Sequence, residues 1–238
     1  MTMRLDKLLT HLGVASRSGV RDILKAGRVR VNGAAVKDAA FQVNEDADIA
    51  LDGQRLDTRL SRHIMLHKPA GVLTAKEDHR QKTVMDLLPP LYTALGCMPV
   101  GRLDKDTTGL LILTTDGELA HRLISPDRHV NKVYEARVDG TLTEADVEAF
   151  AAGIPLKEFT ALPAKLEILA PGLGLVTVRE GKFHQVRRMF GAVGKPVLEL
   201  RRLSFGPLPL DEALAPGEYR ELTETEIAAL YAAAGMKA

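Results

Sequence analysis

Gly101-Arg102-Leu103-Asp104-Lys105-Asp106-Thr107-Thr108-Gly109 puts an arginine and two carboxylates directly ahead of an unbroken apolar run, Leu110-Leu111-Ile112-Leu113. Such a run is short enough to be one buried strand, and Asp116-Gly117 is a turn signal that ends it. A carboxylate on a loop anchored by a buried strand is well placed to act as nucleophile, base or electrostatic partner. The glycines at either end of the loop permit close approach of backbone or ligand. Taken alone, the same residues also fit a surface turn with an Arg–Asp pair, the commoner outcome for a match of this length.

The flanking chain supplies elements to position that loop. Leu5, Leu8, Leu9 and Leu12 recur at helical spacing up to Gly13, and Ser16 caps a second helix through Val20, Ile23 and Leu24 to Gly27. Val29, Val31 and Asn32-Gly33 read as the start of a hairpin. Asp57 to Arg62 is polar and reads as a linker. Ile64-Met65-Leu66 is a strand stopped by Lys68-Pro69-Ala70-Gly71, and Lys76 to Lys82 is a polar, mobile loop. A short helix is expected over Val84 to Leu88, another over Glu118 to Ile124, and a strand over Lys132 to Val138. Thr143 with Asp146 and Thr223 with Glu226 form capping boxes for two further helices. Strands at Ala164 to Leu169 and Leu175 to Val178 flank Pro171-Gly172, and Val186, Met189 and Phe190 share one helical face.

Composition narrows the function. With 238 residues, 45% of them hydrophobic, the chain can bury a core in one large domain or two unequal ones. Cys97 is the single cysteine, which suits a reducing compartment, and no apolar run approaches a membrane span. Formal net charge is only +1, but it is segregated. Met1 to Lys37 holds eight basic residues against Asp6 and Asp22, while Asp38 to Thr58 holds six acids against Arg55. A second basic stretch, Arg179 to Arg202, sets seven basic residues against Glu180 and Glu199. Segregation of this kind is the footprint of a polyanion partner such as RNA.

Gly101-Arg102-Leu103-Asp104 with Thr107, Gly109-Leu110-Leu111 and Thr115-Asp116-Gly117 resembles the central signature of the pseudouridine synthases, and most closely the RsuA family, which modifies bacterial ribosomal RNA. Arg4-Leu5-Asp6-Lys7-Leu8-Leu9, Ala15-Ser16-Arg17 and Gly27-Arg28-Val29-Arg30-Val31-Asn32-Gly33 resemble the S4 RNA-binding domain. Lys68-Pro69-Ala70-Gly71 is similar to the first synthase motif, whose part is mostly structural, and Gly181-Lys182-Phe183-His184-Gln185-Val186-Arg187-Arg188 to the third. The resemblance implies an α+β chain: an S4-like domain over 1–58, a linker over 59–63, and a synthase domain over 64–238 with a mixed, largely antiparallel sheet flanked by helices and loops. It implies Asp104 as the essential carboxylate, Tyr134 brought to the site by its Lys-x-Tyr word, and Arg187 as the charge partner of Asp104. Arg4, Lys7, Arg17, Arg21, Lys25 and Arg28 would face structured RNA, and Arg102 and Arg188 would contact it near the site. On general grounds a strand Tyr is more often core packing, and His184 more often structural than a base, since no fixed partner for it is visible.

The implied reaction turns uridine into its C-linked isomer without redox chemistry or net hydrolysis, so no cofactor is called for and no metal spacing is present. The implied partner is ribosomal RNA in a pre-ribosomal particle, met by a monomer in the cytoplasm. The uridine must leave the base stack to be reached. Thr107-Thr108-Gly109, His121-Arg122-Leu123-Ile124-Ser125-Pro126 and Leu214-Ala215-Pro216-Gly217-Glu218-Tyr219-Arg220 resemble the small-subunit (16S) branch, while Lys105 and the Arg187-Arg188 pair depart from its pattern. The alternatives are a large-subunit (23S) synthase, a non-catalytic S4-type assembly factor and a glycosidase. The last ordinarily needs two carboxylates at a set separation and aromatic sugar platforms, for which a chain with 4% aromatic residues and no Trp is poorly equipped.

Overall fold

The computed structural model describes residues 2–44 and 46–237; Met1, Glu45 and Ala238 lie outside the described residues, and with Glu45 one of the acids counted in the acidic stretch. The chain divides into two compact units, one running up to Arg62 and including Pro89–Cys97, the other made of His63–Leu88 and the chain from Met98 onward.

In the first unit, Leu5–His11 and Arg17–Lys25 are helices, and the Ser16 hydroxyl accepts a hydrogen bond from the Gly19 N–H at 3.3 Å. A four-stranded sheet runs in the order Ala34–Ala35, Val29–Val31, Ile49–Leu51, Gln54–Arg55, and Thr2–Arg4 pairs with Gln42–Asn44. The hairpin turn is the one the Asn-Gly word demands: Asn32 (φ 50°) and Gly33 (φ 82°) are both left-handed. Leu5, Leu9, Val20, Leu24, Val29 and Ile49 are fully buried between helices and sheet.

Two features differ from the sequence expectation. The stretch read as a linker folds onto this unit: Leu60 packs against its core, and Asp57 accepts hydrogen bonds from Arg59 and from the buried Arg62. Those two guanidinium groups, Arg59 first, hold the Asp57 carboxyl well below the usual carboxylate range. The second is the helix Pro90–Ala94, for which the sequence carries no periodic signal; Leu91 and Leu95 lay apolar side chains against the same core. Pro90 occupies its first turn, where a missing N–H costs nothing.

The second unit is built on a nine-stranded sheet in the order Lys165–Ala170, Leu173–Val178, Lys132–Val138, Val197–Phe205, Thr108–Thr114, His63–Lys68, Tyr219–Glu221, with Leu208–Pro209 and Met98–Pro99 added at the side. Every pairing is antiparallel except that of Thr108–Thr114 with Val197–Phe205. The central strand is buried on both faces, which is why Leu110 to Leu113 reads as continuous rather than alternating. Leu110 and Ile112 share a core with Leu119 and Leu123 of the helix Gly117–Ile124 and Leu230 of the helix Glu224–Ala233. Each such side chain removed from water contributes about 1.5–3 kcal/mol. Asp116, read as a turn residue, also caps Gly117–Ile124 by accepting from Leu119 N–H at 2.9 Å. Thr143 and Thr223 cap Glu144–Ala152 and Glu224–Ala233 through their boxes with Asp146 and Glu226. The helix expected at Val84 to Leu88 is a single 3-10 turn, Val84–Leu87, and Val197–Phe205 is a strand beyond those the sequence predicts.

Candidate active site

The Asp104 loop is fixed from beneath. The strand His63–Lys68 delivers Lys68, fully buried, whose ammonium donates to the backbone carbonyls of Pro69 (3.0 Å), Lys105 (3.1 Å) and Thr107 (3.0 Å). Burial pushes that ammonium down to about 8, against the pull of Asp106 and Asp104. Lys68 is thus a clamp on the loop and touches no solvent. The Thr74 hydroxyl donates to Leu103 O at 2.8 Å, Gly71 N–H reaches Lys105 O at 2.9 Å, and Thr107 N–H closes a turn onto Asp104 O at 3.1 Å. At Gly109 the backbone is left-handed (φ 103°), and a Cβ there would run into the backbone of Arg202 on the neighbouring parallel strand. Glycine is required at that point by both conformation and space. Gln81 holds the Lys105 ammonium at 2.8 Å, so the polar segment Lys76 to Lys82 is tied to the loop at one residue.

Asp104 opens into a cleft lined by Arg102, Thr107, Tyr134, Glu180, His184 and Leu200 among others. Its carboxylate is about one-third exposed and lies between two cationic or potentially cationic groups. Arg187 Nε stands 3.9 Å from one oxygen and His184 Nε2 3.6 Å from the other. The Arg187 side chain is steadied by a 3.4 Å hydrogen bond from Nη1 to Val197 O. His184 precedes the helix Gln185–Ala192 in left-handed backbone (φ 50°, ψ 28°), a conformation that turns its ring toward the cleft at some steric cost. The fixed partner for His184 that the sequence could not display is therefore Asp104 itself.

Tyr134 is 8% exposed, lines the cleft, and sits directly opposite Arg202 across the paired strands Lys132–Val138 and Val197–Phe205. Arg202 Nη1 approaches the Tyr134 hydroxyl at 3.4 Å and Nε donates to Leu110 O at 2.8 Å, while Nη2 is buried without a hydrogen-bond partner. Lys132, also buried, is pushed down to about 8 by its burial and then by the charge of Arg202. Two basic side chains thus lie within the protein on the Tyr134 strand pair. The sequence reading counted Arg202 in a basic surface stretch; the structure corrects this, since Arg202 is only 2% exposed. Its signal was weak, a Leu200/Arg202 alternation within Val197–Phe205.

The remaining candidates are dispersed. Arg102 is exposed on the cleft rim. Arg188 is paired with Glu158 and lies over the Phe159 ring, and the Thr107 hydroxyl is buried with no partner. In the first unit, Arg4, Lys7, Arg17 and Arg21 line one surface pocket with Asp6, Thr10 and His11. Arg4 is paired there with Asp6, and Arg28 with Asp52, whereas Lys25 is exposed on the helix Arg17–Lys25.

Comparison with known proteins identifies both parts of the chain. Residues 62–192 match the model of the RNA pseudouridylate synthase family, and residues 3–49 that of the S4 domain. The chain is 42% identical over 234 residues to the ribosomal small subunit pseudouridine synthase A of Escherichia coli, covering 96% of this chain and 100% of that one. It is 46% identical over 231 residues to an uncharacterized RNA pseudouridine synthase, YtzG, of Bacillus subtilis, covering 94% and 97%. A crystal structure of a pseudouridylate synthase superposes with a TM-score of 0.68 at 36% identity, covering 96% of this chain and 99% of that one. With an S4 match ahead of a synthase match over more than half of the chain, and relatives above 40% identity over nearly its whole length, the chain belongs to the RNA pseudouridylate synthase family.

Proposed function

We propose that this chain isomerises a uridine of small-subunit ribosomal RNA to pseudouridine, acting as a monomer on a pre-ribosomal particle in the cytoplasm, with Asp104 as its catalytic carboxylate. The observation that carries the assignment is the Asp104 carboxylate placed between Arg187 and His184 at the mouth of a cleft shared with Tyr134. The small-subunit target rests on relatives that carry that name over nearly their whole length.

That reading implies a balanced isomerisation. The bond from N1 to C1′ breaks, the base turns, and C5 bonds to C1′; C5 loses a proton and N1 gains one, so nothing is oxidised and nothing is hydrolysed. An ionised Asp104 serves either as nucleophile at C1′ or as base and electrostatic partner of an electron-poor sugar. Arg187 orients it and stabilises its charge. Tyr134 offers a face to the uracil ring and a hydroxyl for proton transfer, and Arg202 fixes that hydroxyl. The target base must be extruded to reach the cleft. Arg4, Lys7, Arg17, Arg21, Lys25 and Arg28 hold RNA by phosphate contacts that give affinity and position rather than sequence; Arg102 and Arg188 hold it beside the cleft.

Mapping pseudouridine on both ribosomal subunits in cells lacking this protein tests the assignment. Loss of one small-subunit pseudouridine is the expected result. Loss from the large subunit would redirect the target, and no loss from either would leave the non-catalytic assembly factor as the better reading.

A further inference from the structure

We propose that Phe183 and His184 form a base-stacking platform at the rim of the Asp104 cleft, which takes the base of the nucleotide next to the target uridine. The inference rests on the isomerase reading above and names how that site holds its RNA.

Phe183 is 65% exposed, and its ring lies parallel to the His184 imidazole, with centroids 3.8 Å apart and planes inclined by 18°. The same imidazole stands 3.6 Å from Asp104, so a single ring separates the exposed Phe from the carboxylate. The loop that presents the pair is held rigidly. Glu180 and Gln185, both buried, are hydrogen-bonded to each other at 2.7 Å; Glu180 also accepts from Leu162 N–H at 2.8 Å, and Gln185 from Lys182 N–H at 3.1 Å. A large apolar ring held in water by a pinned loop, on a histidine in strained left-handed backbone, is a built feature rather than a loop tip that failed to pack.

The chemistry of the surroundings selects the occupant. Extruding a uridine leaves its neighbours unstacked, and aromatic faces are what proteins offer to unstacked RNA bases. Arg102, exposed and lining the same cleft as His184, supplies a cation for the intervening phosphate. A peptide partner would call for a continuous apolar groove, whereas the cleft beside Phe183 mixes charged and polar side chains, Arg102, Asp104, Glu180 and Lys182, with its apolar ones.

The test uses the full chain and a short synthetic single-stranded RNA copied from around the mapped uridine, with its 5′ or 3′ neighbour either intact or abasic. Phe183→Ala is expected to weaken binding of the intact RNA about tenfold, the scale of one base–aromatic stack. Phe183→Trp should restore most of the affinity, and Phe183→Leu, apolar but without an aromatic face, should resemble Phe183→Ala. One of the two abasic RNAs should weaken wild-type binding by the same factor and cost Phe183→Ala nothing further. The salt dependence of binding should be unaltered, because no phosphate contact is lost. The platform is overturned if folded Phe183→Ala binds within about twofold of wild type against the tenfold stacking scale, or if its penalty multiplies in full with both abasic penalties. A fall in turnover at saturating RNA with unchanged affinity also overturns it, since Phe183 would then only orient His184. If wild type converts no uridine in this RNA or in the ribosomal subunit, the isomerase reading fails; conversion by wild type with an unaffected Phe183→Ala sinks the platform alone.

Discussion

Replacing Arg187 by Met keeps the length of the side chain and removes its charge. The guanidinium lies 3.9 Å from the Asp104 carboxylate, with the two side chains 24% and 30% exposed. A unit charge pair at about 4 Å is worth ~1 kcal/mol in bulk water and ~4 kcal/mol at the effective dielectric near a protein surface, about 20. Those limits bracket a loss of turnover between about fivefold and about a thousandfold. A uridine seated in the cleft would displace water from around the pair and move it toward the stronger limit, so a loss on the order of a hundredfold is expected. Arg187→Lys retains charge without the planar fork and should lose less. Single-turnover kinetics over a range of RNA concentrations is the measurement. The defect should persist at saturation, with the dissociation constant little changed. If it disappears at high RNA, Arg187 is one more phosphate contact and its pairing with Asp104 is incidental.

Arg17→Ala should do the reverse, weakening RNA binding about equally for any sequence and flattening the salt dependence by roughly one counterion, with turnover at saturation near normal; titrations at several salt concentrations decide it. Deleting Met1 to Asp57 uncovers Leu60, Leu91 and Leu95, which pack against the first unit's core, so the remaining chain should aggregate unless all three are made polar, as light scattering would report. With all three made polar it should fold and modify RNA far less efficiently than the full chain. In acid, hydrogen bonding to Arg220 lowers Glu226 from 4.5 to about 2. Its folded value lies below its unfolded one, so its stabilisation is complete above about pH 4.5 and is lost as pH falls through about 2. Denaturant melts of wild type and Glu226→Gln should therefore differ at neutral pH and converge near pH 2.

Local signals made much of the fold legible. Ser16, Thr143 and Thr223 announce the helices they cap, Asn32-Gly33 its hairpin, and the alternation of Lys132 to Val138 its strand. Asp104, Tyr134 and Arg187 were named from wording alone, and they do reach one neighbourhood. What stayed hidden depends on pairing between distant segments. Arg179 to Arg202 reads as a basic stretch, but the pairing of Val197–Phe205 with Lys132–Val138 turns Arg202 inward beside Tyr134. His184 lies far from Asp104 along the chain, and only the left-handed step before Gln185–Ala192 brings them within 3.6 Å. Pro90–Ala94 is too short to show a period, and its apolar side chains are explained only by the core of the first unit.

The most direct test of the account is the turnover of Asp104→Asn, which retains the shape of the side chain and removes its charge. The RNA is the small-subunit species found to lose its pseudouridine in cells without this protein, and the product is counted directly. No detectable isomerisation by Asp104→Asn is expected at saturating RNA, with RNA binding nearly intact, since Lys68, Thr74 and Gly71 still hold the loop through its backbone. Residual turnover within about tenfold of wild type, a barrier change of only ~1.4 kcal/mol, would contradict it and remove Asp104 as the catalytic carboxylate.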